Sequence, residues 1–267
     1  MKMNFALALS FAVIFITGCS FPHYYYSPNI QNVPLYTDSL EFTGLIAGST
    51  GDVNHFMEFQ AGFSFPYHIA WTAGFFFGGK DRSGEDYTDF SKSRYFESAL
   101  GYYTPIRNIG VFELYGGYGR GSQDHTFSYS EYDNWLKWYV VPDGSADLSF
   151  SKFFIQPNIG IKERWIEAAF SCRVNYLNFD RIDVYNTVHH LEQLNLLKEN
   201  RTPWLVEPAL TLRLGGKFIK GQMQFVYSGN IDEPDLRFEK IRLSMGVFVS
   251  LSAKRPGSAQ VGHSAML

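Results

Sequence analysis

The chain has 267 residues, a formal net charge of −3 at neutral pH and 18% Phe, Tyr and Trp, with a mean hydropathy of −0.15. So small a negative balance, without basic stripes, argues against a nucleic-acid partner. Beyond the first twenty residues no stretch approaches the ~18 consecutive apolar residues of a spanning helix. Many aromatics without overall hydrophobicity fit strands that alternate apolar and polar residues, with aromatics ringing two membrane interfaces.

The first element is residues 1–18. Lys2 supplies a positive start, and Phe5 to Thr17 is apolar apart from Ser10. That run is short of the ~20 residues needed to cross a bilayer as a helix and has the make-up of a secretory signal peptide. Its end, Ile16-Thr17-Gly18-Cys19, resembles the lipobox of bacterial lipoproteins. The resemblance implies that the Cys19 thiol is acylated, that cleavage precedes it, and that diacylglycerol and acyl chains on Cys19 anchor the mature protein. No other cofactor is expected. The alternative is an ordinary signal peptide with a chance cysteine. Cys172 is the only other cysteine, so an exported chain with one Cys at a cleavage site has no evident disulfide use. In a lipoprotein, Ser20 is compatible with transfer to the outer membrane.

Residues 19–37 contain Pro22, Pro28 and Pro34 and no periodicity, and are expected to be a tether from lipid to first strand. From residue 38 to 252, period-2 alternation recurs between turn signals. His55, Met57, Phe59, Ala61, Phe63 and Phe65 share one face, and Ile241, Leu243, Met245, Val247, Val249 and Leu251 another. The pattern predicts ten strands, at 38–49, 53–65, 67–79, 93–104, 109–121, 146–158, 164–179, 203–214, 217–229 and 239–252. Pro208 is awkward in a paired strand and suggests a bulge. Connections after strands two, four, six and eight are very short, whereas those after three, five, seven and nine are long and polar. This predicts an all-β fold, an antiparallel up-and-down transmembrane β-barrel with short periplasmic turns and long outer loops. An even strand count puts both barrel ends on the short-turn side, so the expected location is the bacterial outer membrane. The lipid would then enter the periplasmic leaflet, the loops would face outward, and residues 253–267 would form a flexible periplasmic tail.

This organisation, with the lipobox and the "YYYSPN" stretch after it, resembles the small outer-membrane β-barrel lipoproteins of Gram-negative bacteria. The resemblance covers the whole mature chain, but its specific motif is the lipobox alone. It implies location more than chemistry. One departure is that the last strand, "GVFVSLS", is followed by the tail "AKRPGSAQVGHSAML" rather than ending the chain on an aromatic. The competing fold is a lipid-tethered soluble lipocalin-like barrel, apolar inside and polar outside. Against it, the polar face carries charges diluted by Gly, Ala and Ser, as a crowded interior would.

Counting up from the short turns, Glu58, Glu97, Glu113, Glu167 and Glu207 fall in a band near mid-membrane depth on inward positions. Lys152, Arg173 and Arg242 lie just above, and Lys220 just below. Carboxylates there are costly to desolvate alone, so an interior network of ion pairs is expected. The alternative is a cation-selective constriction. His189 and His190 stand in 186–200, whose leucine spacing suits a short helix. They point to different sides of a helix, which is poor metal geometry, and no metal site is expected. A rim hydrolase would need a histidine beside a carboxylate and a nucleophile. "GGYGRG", 116–121, lies within a strand and lacks the following helix of a phosphate loop. The aromatic-rich 124–144 loop is a candidate surface for an envelope protein partner. The favoured reading is a non-enzymatic structural or accessory subunit of an envelope complex, a barrel with membrane lipid as an expected partner, with an outer-membrane hydrolase using rim residues near His189/His190 and a narrow cation channel as alternatives. Cys19→Ala should abolish incorporation of a fatty-acid label and leave the signal uncut, read as slower migration on gels; efficient cleavage of that variant with an unlabelled wild type would remove the lipoprotein reading.

Overall fold

The computed structural model describes residues 24–51, 55–83, 88–133, 137–188 and 190–252. The expected signal peptide 1–18, Cys19, His189 and the tail 253–267 lie outside the described residues, as do the side chains of residues 50–51, 80–83, 88–89, 129–133, 137–140 and 142. Ten long strands form one closed antiparallel barrel: β1 (Glu41–Gly51), β2 (His55–Ser64), β3 (Ile69–Ser83), β4 (Thr88–Ile106), β5 (Gly110–Asp133), β6 (Lys137–Lys162), β7 (Ile166–Tyr185), β8 (Trp204–Gly215), β9 (Ile219–Tyr227) and β11 (Ile241–Ser252). A two-residue strand, β10 (Gly229–Asn230), resumes the pairing of β9 with β8 after a break. Each of the ten long strands pairs with the long strand before and after it, and β1 with β11 completes the ring.

The sheet is inverted relative to a soluble barrel. Outward residues such as Leu100, Ile155, Phe170, Leu210, Met245 and Val247 are exposed and apolar, while the inward residues include many buried charges and amides. Along β5, Phe112, Leu114 and Tyr118 point outward before the first outward charge, Arg120. Along β7, the outward row from Ile166 ends at Tyr176. About ten residues of tilted strand match the ~25 Å apolar band of a membrane barrel. Tyr118, Phe153, Tyr176 and Trp204 mark its upper edge, with Trp71, Tyr102, Trp165 and Phe218 at the turn side. The alternation cannot suit a lipocalin-like barrel, because the solvent-like face is the apolar one.

Strand existence follows the sequence pattern, and several ends differ from it. β5 and β6 run well past the predicted limits and stay paired to Asp133↔Lys137. The expected long loop at 122–145 is therefore mostly a tall hairpin, because Thr, Tyr, Phe and Val fill that stretch despite its charges. A register shift between Phe127 and Ser128 accompanies Gly144, whose φ of 121° is ill suited to a side chain. Pro208 produces no shift on β7, where it faces Cys172. The gap is on its other side: pairing with β9 stops at Ala209↔Val226 and resumes at Val206↔Gly229, as expected where proline has no N–H to donate. The predicted loop helix is α1 (Leu191–Glu199), whose Leu194 and Leu197 are fully buried over the barrel mouth. The "GGYGRG" glycines belong to β5. An added Cβ at Gly117, Gly119 or Gly121 would overlap Phe154, Tyr95 or Phe150.

The main correction concerns the tether. Residues 24–37 do not hang from the turn side of the barrel; they run through its lumen. Tyr25, Tyr26, Ile30, Gln31, Val33, Leu35 and Tyr36 are at most 1% exposed. Tyr36 packs on Tyr103 near the short turns, Ile30 sits against Glu58 at mid-height, and Tyr25 donates its N–H to Arg237 on the long-loop side. Lack of periodicity made the segment look like a linker, but a chain surrounded on all sides has no preferred face to reveal.

Gly62 makes room for this segment: a Cβ there would collide with the Tyr36 hydroxyl and come within 2.9 Å of Thr43 Oγ1. Gly62→Ala should lower barrel stability by about 1–3 kcal/mol, as overpacking does. Adding Tyr36→Phe should recover part of the loss, measured by urea titration of the compact, heat-modifiable gel band. Equal stability of wild type and Gly62→Ala would contradict the threaded path.

Candidate functional site

The residues that carry polar chemistry converge in the lumen, where alternate positions of every long strand point inward. All nine residues of the expected interior set are buried there: Glu58, Glu97, Glu113, Glu167, Glu207, Lys152, Arg173, Lys220 and Arg242. They do not form one continuous belt. Glu97 takes two hydrogen bonds from Arg173, at 3.0 and 3.1 Å, and has Lys152 at 3.6 Å. Glu167 receives Lys220 and Arg213, each at 2.9 Å. Arg242 pairs with Glu239 rather than with any glutamate of the expected set. The guanidinium groups also lie over aromatic rings: Arg173 over Phe154 at 4.4 Å, Arg213 over Phe248 at 3.6 Å and Arg242 over Phe56 at 4.1 Å. Such stacking supplies attraction for a buried cation that has lost its water.

Glu58, Glu113 and Glu207 are engaged differently. Among the described residues none of the three has a cation at ion-pair distance; each accepts from the threaded segment. Glu58 receives the N–H of Ile30 on both oxygens, at 2.9 and 3.0 Å. Glu113 receives the N–H of Tyr36 at 2.9 Å and Asn158 at 3.0 Å. Glu207 receives the hydroxyl of Tyr26 at 2.8 Å and that of Ser228 at 3.2 Å.

Several other peptide groups of the segment are met the same way. Gln224 accepts from the N–H of Gln31 at 2.7 Å and donates to its carbonyl at 2.9 Å. Gln60 donates to the carbonyl of Ile30, Gln156 to that of Asn32 and Arg213 to that of Val33. Asn29 joins the charge cluster, accepting from Lys152 at 2.9 Å and Arg173 at 3.0 Å. Arg213, Glu239 and the partners on the segment were missed at the sequence level. Arg213 had the correct strand parity; Tyr26, Asn29 and Gln31 carried no signal, because they lie in no regular element.

Above this polar layer the lumen becomes an apolar core. Tyr25, Phe127, Phe150, Phe179, Leu205 and Phe238 pack together beneath α1, against its Leu194 and Leu197. At its edge Asp143 accepts from the Thr187 hydroxyl at 2.6 Å and the Val188 N–H at 3.0 Å, and meets His190 Nδ1 at 2.9 Å. The His190 ring also stacks on Phe127 at 4.4 Å. This is a histidine beside a carboxylate, as a rim hydrolase needs. However, the Thr187 hydroxyl donates to the carboxylate rather than to the imidazole, which is not the order that activates a nucleophile. Three donors on Asp143 tie the approach to α1 onto β6. No group of three or more metal-ligating side chains occurs among the described residues.

No protein-family model matches the chain, and no curated protein does. Among solved structures, the translocator domain of autotransporter NalP from Neisseria meningitidis is similar at 10% identity and a TM-score of 0.39, covering 80% of this chain and 89% of that one. A NanC porin structure is similar at 9% identity and a TM-score of 0.31, covering 80% of this chain and 100% of that one. Outer-membrane expressed OmpT of Vibrio cholerae is similar at 8% identity and a TM-score of 0.24, covering 81% of this chain and 100% of that one. At that level of likeness no residue role transfers, and the lumen has to be interpreted from its own contacts.

Removing one member of a buried ion pair leaves the other uncompensated. Glu97→Gln should cost about 3–5 kcal/mol in the urea titration, whereas Glu97→Gln combined with Arg173→Met should lie closer to wild type. Additive losses in the double variant would show that the two groups are not coupled.

Proposed function

We propose that the protein is a lipidated, non-enzymatic and non-conducting outer-membrane barrel, serving as a structural or accessory subunit of an envelope complex. The observation that carries this is the occupied lumen. Residues 25–36 are buried along its depth, and the charged side chains that would line a channel, Glu58, Glu97, Glu113, Glu167, Glu207, Lys152, Arg173, Lys220 and Arg242, are bonded to that segment or to other side chains of the lumen. The acidic band therefore acts as a socket for a peptide backbone, where a channel would leave the carboxylates facing water and ions. Lipidation rests on the sequence Ile16 to Cys19. An outer-membrane address rests on that motif together with the outward apolar belt. A role in assembly is favoured by the β5–β6 hairpin, which continues for about 40 Å of strand beyond Arg120 and offers an edge above the membrane.

Planar-bilayer recording of the purified full chain tests this. The wild type should be silent. Deleting residues 24–36 should produce cation-selective openings, because Glu58, Glu113 and Glu207 would lose the donors that occupy them. Stable openings in the intact protein would overturn the proposal.

A further inference from the structure

The direction of the threaded segment has a topological consequence. Following it backwards from β1, contacts climb steadily away from the short turns. Tyr36 meets Glu113, three residues above the start of β5; Gln31 meets Gln224, five above the start of β9. Tyr26 forms a bridge with Phe238, in the connection between β10 and β11 on the long-loop side. The chain thus enters from the long-loop mouth, descends the lumen, and turns into β1 at the other end. The last barrel strand ends at Ser252 beside Glu41, on the short-turn side.

We infer that the N-terminal end of the mature protein lies on the long-loop side of the membrane, and that acyl chains on Cys19 insert into the leaflet on that side. Four residues lie between Cys19 and Tyr24, so five Cα-to-Cα steps join them. A fully extended chain covers at most about 3.6 Å per residue, so Cys19 is within about 18 Å of Tyr24. The apolar belt is ~25 Å tall, and the lumen that could lead back is filled by the segment itself. A lipid on Cys19 cannot reach the short-turn leaflet while residues 25–36 keep their places. With the long loops facing outward, the anchor is at the cell surface, opposite to the periplasmic anchoring expected from strand count alone. The second half of the inference rests on the lipidation proposed above; the first half does not.

The test places a site for a sequence-specific protease between Ser20 and Phe21 and an epitope after Leu267, in the full chain, in cells fed a clickable fatty acid. Protease added to intact cells should cut the site and separate the fatty-acid label from the barrel, while the C-terminal epitope stays inaccessible to antibody until the outer membrane is permeabilised. Cutting only after permeabilisation would overturn the inference. Cutting on intact cells with no label on the uncut protein would keep the threading and remove the lipidation. Because the insertion could disturb folding, the uninserted protein is also treated on intact cells with a broad-specificity protease. Its barrel should then begin within residues 20–25 by mass spectrometry, and an N-terminus left intact at Cys19 would count against the inference.

Discussion

The hydrogen bonds between the lumen wall and the backbone of residues 30–36 are the constraint on which the rest depends. That segment has no strand or helix to satisfy its peptide groups, and it is sealed from water. Buried N–H and C=O groups must find partners, and here they find side chains: Glu58, Glu113, Gln224, Gln60, Gln156 and Arg213. The amides and acids on alternate wall positions serve as a substitute for a neighbouring strand. Loss of the segment would leave several of them unsatisfied at once, so barrel and segment form one folding unit.

The remaining lumen charges follow from the same economy of burial. Arg173 with Glu97 and Lys152, and Glu167 with Arg213 and Lys220, are compensated locally. Two residues join the clusters to the segment: Asn29 accepts from both Lys152 and Arg173, and Arg213 bonds both Glu167 and the Val33 carbonyl. Small residues on β5 let large rings fill the gaps: Phe154, Tyr95 and Phe150 occupy the space opposite Gly117, Gly119 and Gly121. The charged pairs thus sit between two apolar zones, one around Tyr36 and Tyr103 towards the short turns and a larger one under α1.

This arrangement bears on activity. A channel needs a continuous wet path, and a hydrolase needs a nucleophile ordered towards its base. The lumen is occupied along its length, and at the rim the Asp143 carboxylate draws the Thr187 hydroxyl, the Val188 N–H and His190 together as a brace for α1. What projects away from the barrel is the β5–β6 hairpin, longer than membrane crossing requires.

Alternation in residues 53–65 or 239–252 was enough to define strands, because lipid on one side and packed lumen on the other impose opposite polarities on successive residues. The same periodicity put all nine expected charges indoors, and leucine spacing located α1. Strand ends in β5 and β6 were less legible, since pairing beyond the membrane needs no apolar face. Which charges pair, and that Arg213 and Glu239 are among them, depends on inter-strand register, which a single strand does not encode. Above all, the path of residues 24–37 was invisible. A plug enclosed on every side shows neither period 2 nor period 3.6, and its prolines read as linker. Only the closed barrel around it reveals that those residues are core, and from which end they came.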